Sequence, residues 1–259
     1  GQRMRICIDP GHTFGSNPSP ADPTYSEGTR MFALARFLRR ALERYGAEVV
    51  CTRGRVTDDP SDYERGRMGR GCALLLSLHS NAVASGRNDN VDYVSVLYPV
   101  NHRGEQLAQA LSEVVADVMG TRQLPQFLVR RNAARDAELD PVMRFAAQMG
   151  TLALRVEHSF HTQPRIAAWL RSDENLRRLA EAEAALIAEY FGLEAPEERY
   201  ELLKDVRCPA YRATLEKLAR RGLLDGWCGE GESLRLDLGE DSLRLLTLLD
   251  RAGVFDLVR

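Results

Sequence analysis

The chain has 259 residues, 44% of them hydrophobic, with 35 basic against 37 acidic side chains and a net charge of −2. That length and apolar content suit one large α/β domain or a medium domain with a small one, and the balanced charge argues against a dedicated nucleic-acid binder. Lys204 and Lys217 are the only lysines, which excludes a phosphate-cradling GxxxxGK[ST] loop and disfavours Schiff-base chemistry. No apolar run reaches the roughly 18 residues that a membrane span needs. The stretch Gly1-Gln2-Arg3-Met4 carries no signal-peptide core.

In chain order, Met4–Ile8 reads as a buried strand that ends at the turn Asp9-Pro10-Gly11. Residues 29–45 repeat apolar side chains at helical spacing and stop at Gly46. Strands follow at 48–52, 73–78 and 92–98, with a short helix at 62–68 between the first two. The strand at 73–78 is apolar on both faces, as a central strand covered by helices should be. A helix is expected at 103–119, a strand at 151–157 and a long amphipathic helix at 173–191. Strands separated by helices of this length imply βαβ units, so the expected fold is α/β with a twisted, mainly parallel sheet flanked by helices.

A polar, proline-containing segment at 193–196 reads as a linker. Beyond it, 200–204, 209–221 and 241–252 look helical, giving a small helical module at 197–259 after a first domain at 1–192. Cys7, Cys51 and Cys72 fall in or beside apolar runs, where a small buried thiol is the simplest reading.

Four polar residues share one position in this pattern. His12 follows the first strand, Glu27 stands at the start of the first helix, His79 ends the third strand and Glu157 ends the late one. Ligands of open parallel sheets collect at the carboxyl edge of the strands. His, Glu and His make a three-ligand zinc set with a fourth position left for water, and a further carboxylate could serve as general base. Taken singly, His12 reads more often as a loop or capping residue, and Glu27 as a solvated helix-start carboxylate. A carboxylate closing a buried strand, as Glu157 does, is costly unless paired or coordinated. Ser77 and Ser80 flank His79 without a GxSxG elbow, and HExxH is absent.

Ile8-Asp9-Pro10-Gly11-His12, Glu27, Ser77-Leu78-His79-Ser80-Asn81-Ala82 and Val156-Glu157-His158-Ser159-Phe160-His161-Thr162 resemble, in order, the signatures of zinc-dependent N-acetylmuramoyl-L-alanine amidases. The likeness spans about residues 4–191. It implies a sheet of about six strands and hydrolysis of the amide between the lactyl group of N-acetylmuramic acid and L-alanine in bacterial peptidoglycan. It further implies that one Zn2+ is bound by His12, Glu27 and His79, and that Glu157 is the catalytic carboxylate, general base and then general acid. Asn81, His158 and His161 are expected at the rim of the substrate groove, although strand alternation turns the His158 side chain away from Glu157. His102 reads as a surface residue before its helix.

The family's usual glycine pair after the first histidine is replaced by Thr13-Phe14 and a loop with Pro18, Pro20 and Pro23. Gln163 stands where an asparagine is common. Around Leu236–Asp241 the tail is similar to an extension of some clostridial-type wall amidases, with wall targeting or association between copies as its expected roles. Arginine reads as a matter of composition, with no part in the chemistry. A zinc peptidase of the stem peptide and a non-catalytic wall-binding protein are the rival readings. The substrate lies outside the membrane, so lysis, a holin or a removed leader would bring the enzyme to it. Phage lysis, cell separation and a spore role stay open.

Overall fold

The computed structural model describes residues 2–194, 199–224 and 231–257. The chain divides into two compact units, 1–195 and 196–259. The boundary residues 195–198, which include half of the expected linker, lie outside the described residues.

The first unit is built on β1 (Arg5–Pro10), β4 (Glu48–Cys51), β5 (Leu74–Asn81), β6 (Ser95–Leu97), β7 (Gln126–Leu128) and β8 (Ala153–Phe160). Their order in the sheet is β4-β1-β5-β8-β6-β7. The first four are mutually parallel, and β6 turns antiparallel to β8 and parallel to β7. A short hairpin of β2 (Pro18–Ser19) and β3 (Asp22–Ser26) stands apart from the sheet.

The two faces of the sheet are covered unequally. On one, Ile6, Ile8, Leu74, Leu76, Leu78, Leu154 and Val156 pack in the main core with α1 (Glu27–Arg44), α3 (Glu105–Met119) and α6 (Asp173–Phe191). These helices have 18, 15 and 19 residues, or about 22–29 Å at 1.5 Å per residue. The other face meets α2 (Asp62–Met68) and α4 (Pro141–Gln148), of 7 and 8 residues, about 10–12 Å long. Strand alternation sends Cys7, Leu75 and Ala153 to this face, where they pack with Val142, Met143 and Ala146 of α4. The same alternation continues upward through Asp9, Ser77, His79, Arg155 and Glu157, beyond the apolar cover.

Helix ends follow local chemistry. Ser61 and Glu64 close a capping box on α2, Ser172 caps α6, and Gly192 ends α6 in the left-handed conformation. Gln163 caps α5 (Pro164–Leu170) by accepting from the Ile166 N–H at 3.0 Å, the work an asparagine would do there. The hairpin, β7, α4 and α5 were not expected from the sequence. Asp140-Pro141 and Gln163-Pro164 are the N-cap and first-turn signals that mark the two helices.

In the second unit, β9 (Arg199–Leu202) pairs antiparallel with β10 (Arg235–Gly239), and α7 (Pro209–Arg220) and α8 (Glu240–Arg251) accompany them. Residues 200–204, read as helical, form a strand and one 3-10 turn instead. The reason is partnering: Tyr200 pairs with Leu238 across the ladder and Leu203 enters a small core with Val206, Leu215, Leu236 and Leu243. Cys7 and Cys72 are buried free thiols, Cys51 is half-buried, Cys208 is exposed, and Cys228 lies outside the described residues.

At the α2–α4 crossing, a Cβ on Gly66 would stand 2.5 Å from Phe145 Cβ and 2.8 Å from the Ala146 nitrogen. Gly66→Ala must push the helices apart, so we expect a loss of about 1–3 kcal/mol, measured as a lowered midpoint in thermal or urea unfolding.

Candidate active site

The carboxyl ends of β1 and β5 and the start of α1 bring His12, Glu27 and His79 together, with donor atoms all within 4.8 Å of one another. His12 adopts φ +61°, an unusual conformation for a side chain with a Cβ. It is held there by Arg65, whose guanidinium donates to the His12 carbonyl at 2.8 Å and to that of Pro10 at 2.7 Å, and pairs with Asp9 at 3.0 Å. A Cβ on Gly11 would fall 2.2 Å from the His79 ring, so only glycine lets the exit of β1 cross over this imidazole.

Glu27 is 2% exposed. Its Oε1 lies 3.0 Å from His79 Nδ1 and accepts from the Ser80 N–H at 3.1 Å. Its Oε2 lies 3.3 Å from His12 Nε2 and accepts from Asn17 Nδ2 at 2.9 Å. Burial works against the charge of Glu27, yet the two imidazoles hold its carboxyl well below the usual range. Glu27 in turn raises the pKa of His12 by hydrogen bonding, against the pull of burial.

The tautomer of His79 follows from its other partner. Ser77 Oγ donates to Asp9 Oδ2 at 2.6 Å, so it accepts from His79 Nε2–H at 3.0 Å. In the neutral ring the Nδ1 lone pair then faces a carboxylate oxygen, a contact that a cation between them makes favourable. Two ligands of a tetrahedral zinc stand about 3.3 Å apart, from bond lengths near 2.0–2.1 Å. The donor set therefore fits Zn2+ in chemistry and spacing.

Glu157 pairs in register with His79 on the neighbouring strand, on the same face. Its Oε1 is gripped by Arg155, with Nε and Nη2 each 2.8 Å away, and Arg155 Nη1 reaches Asp140 at 2.6 Å. Its Oε2 is buried and has no hydrogen-bond partner among the described residues. Arg155 corrects the expectation that arginine stays out of the site. Two residues before Glu157 on a strand, it must share its face, and that alternation was the available signal. The positioning roles of Asn17, Asp140, Ser77 and Asp9 also escaped the sequence reading, because they show only once the strands and loops are assembled.

A cavity of about 480 Å³ on one side of the donors is lined by His12, Glu27, Asn81, Glu157 and His161. A second of about 580 Å³ on the other side shares His12 and Arg155 and extends to Asp59, Asp62 and Asp140. Asn81 and His161 thus line the groove. His161 sits between Ser80, 2.8 Å from its Nδ1, and the stacked ring of Tyr25, and burial keeps its pKa low. His158 does not belong to the rim. It is fully buried on the opposite face, with Nδ1 2.9 Å from the His79 carbonyl and Nε2 3.2 Å from Glu183 of α6. Both partners are acceptors, so the ring carries both protons and ties α6 to the strand that bears His79. The extra residue Ser159, at φ +54°, shifts the β5–β8 register directly after it. His102 is a surface residue, as expected, with Glu105 3.7 Å away.

A family profile described as N-acetylmuramoyl-L-alanine amidase matches residues 6–189. The chain belongs to this family. Its members are hydrolases, and peptidoglycan is their substrate. The chain is similar in fold to Cwp6 from Clostridium difficile, at 18% identity and TM-score 0.63 over 73% of this chain and 29% of that one. An N-acetylmuramoyl-L-alanine amidase from Clostridium difficile 630 aligns at 20% identity and TM-score 0.63 over 75% of this chain and 100% of that one. The amidase AmiC2 of Nostoc punctiforme aligns at 20% identity and TM-score 0.61, over 74% and 98% of the two chains. No curated protein matches the chain. No helix among the described residues is long and apolar enough to cross a membrane.

Burial opposes the charge of His158, but Glu183 and the hydrogen bonds outweigh it and raise the pKa. A raised folded-state value means that the pair's contribution is complete below the unfolded pKa of about 6.5 and is lost as pH rises through the folded value. Replacing Glu183 by Gln is expected to cost about 3 kcal/mol at pH 6. The gap from wild type should narrow as pH rises, read from urea unfolding across pH 6–9.

Proposed function

We propose that this amidase hydrolyses the amide between the lactyl group of N-acetylmuramic acid and L-alanine, with one Zn2+ held by His12, Glu27 and His79. The observation that carries the reading is the orphaned Glu157 Oε2, buried in the wall of the cavity that also holds His12 and Glu27. When bound, Zn2+ supplies a Lewis acid that lowers the pKa of water and polarises a carbonyl oxygen. Glu157 Oε2 takes a proton from the attacking water and returns one to the departing nitrogen of L-alanine. Arg155 holds the other oxygen, so the carboxylate meets the water with one oxygen in a fixed direction. Asn17 and Ser77 orient Glu27 and His79. Asn81 and His161 contact the substrate along the groove. The place of action is the cell wall, with peptidoglycan as partner.

Glu157→Gln should keep wild-type zinc content and lose about 100- to 10,000-fold in turnover, whereas Glu27→Ala should lose the metal. Elemental analysis and mass spectrometry of digested peptidoglycan read both. A product with a free L-alanine amino terminus and an intact lactyl carboxylate is expected. Cleavage inside the stem peptide would make the protein a zinc peptidase, and binding without any product would make it a wall-binding protein.

For residues 197–259 the two readings are wall targeting and association between copies, and wall targeting makes the first prediction. Deleting them should lower binding to insoluble peptidoglycan without changing turnover of a soluble muropeptide. A fall in solution mass on deletion, with wall binding intact, would assign them to association between copies instead.

A further inference from the structure

A third cavity, of about 740 Å³, shares no lining residue with the two at the active site. Its wall carries Arg30, Arg36, Arg39, Arg40, Arg53 and Arg55 against one carboxylate, Glu43. The whole chain balances 35 basic residues with 37 acidic ones, so this excess is local. It does not follow from the arginine-rich composition.

The charges there are incompletely compensated. Arg30, Arg39 and Arg55 pair with Asp173, Glu43 and Asp58 at 2.7, 2.9 and 3.4 Å. Arg36 is exposed and has no partner among the described residues. On α1 it stands three and four positions before Arg39 and Arg40, the spacings at which like charges repel. Arg53 is 1% exposed, and among the described residues its guanidinium hydrogen-bonds only to backbone carbonyls. It donates to the carbonyls of Gly11 at 3.1 Å, Gly28 at 2.9 Å and Val56 at 2.6 Å, and lies 5.1 Å over the Phe32 ring, while its buried Nε has no hydrogen-bond partner among the described residues. A buried cation without a counter-ion is costly, and an anion beside it offsets that cost.

We propose that this cavity is a second binding site, for the phosphodiester groups of an anionic cell-wall polymer. Guanidinium groups are weakly hydrated planar forks that match phosphate oxygens two at a time. A concave site of this volume accommodates a segment of such a chain. The phosphodiester chemistry follows from the arginines, and the wall as its source rests on the amidase reading. Because Arg53 holds the carbonyls of Gly11 and Gly28, which adjoin His12 and Glu27, the bound polymer braces the segments that carry two of the zinc ligands.

The test is calorimetric titration of the full-length zinc-loaded protein with a soluble glycerol-phosphate oligomer at fixed ionic strength. Wild type should bind saturably. R36Q/R40Q should bind at least about tenfold more weakly, as the loss of a charge-assisted contact predicts. Arg36→Gln alone, at an exposed position, keeps the test open if the double variant folds poorly. Turnover of a soluble muropeptide should be unchanged in both variants. Equal affinity in wild type and variants, or an equal response to sodium acetate, would overturn the proposal. Pelleting with anionic phospholipid vesicles without binding of the soluble oligomer would also overturn it, in favour of a membrane surface. Oligomer binding retained in a protein that cuts no peptidoglycan would refute the amidase reading and leave the anion site standing.

Discussion

A carboxylate at the buried end of a sheet has to be met by positive charge, and the first unit is arranged around that requirement at Glu27. Its two oxygens face one imidazole each, a backbone N–H and an asparagine amide. The geometry around it is fixed from outside the site. Arg65 and Arg53 gather the carbonyls of Pro10, Gly11, His12 and Gly28, so the exit of β1 and the start of α1 cannot drift apart independently. Fully buried guanidinium groups are expensive. Here their donors saturate backbone acceptors that an irregular, water-poor turn would leave unpaired.

The uneven cover of the sheet decides where chemistry can occur. Three long helices seal one face, and buried polar groups there, such as His158 and Glu183, pair with each other. On the other face, two helices of two turns each stop short of the strand ends. The sheet surface above them changes from cysteine, leucine and alanine to aspartate, serine, histidine, arginine and glutamate without any break in the strands. A groove follows from helix length alone, and both of its arms open beside His12.

Much of this was legible in the residues. The 62–68 and 173–191 helices coincide with α2 and α6 because a capping serine and a terminal Met68-Gly69 or Phe191-Gly192 bracket the apolar stripe. The positions of His12 and Glu27 beside a strand end and a helix start could be read because such ends carry turn signals, whereas His79 and Glu157, expected to close their strands, lie two and three residues inside the ends of β5 and β8. What escaped depends on contacts between distant segments. α4 and α5 are too short to show a helical period, and β7 is three residues long. Residues 200–204 carry a pattern that suits a helix until Leu238 offers a strand partner. Arg155 lay in plain view on the strand of Glu157, but its value depends on Asp140, which arrives from a separate loop.

The extra residue in β8 has a further meaning. Up to Glu157 the strand is read in one frame, with odd-numbered side chains toward the groove. After Ser159 the frame changes by one: Phe160 pairs with Asn81, and His161 swings toward Tyr25 and Ser80 while its carbonyl accepts from Ser19 of the hairpin. One strand thereby carries Glu157 before the extra residue and anchors the proline-rich loop after it. Substitutions along this segment alter single contacts, but losing or gaining one residue would reverse every contact beyond it. Length, more than residue identity, is what this stretch of the chain has to preserve.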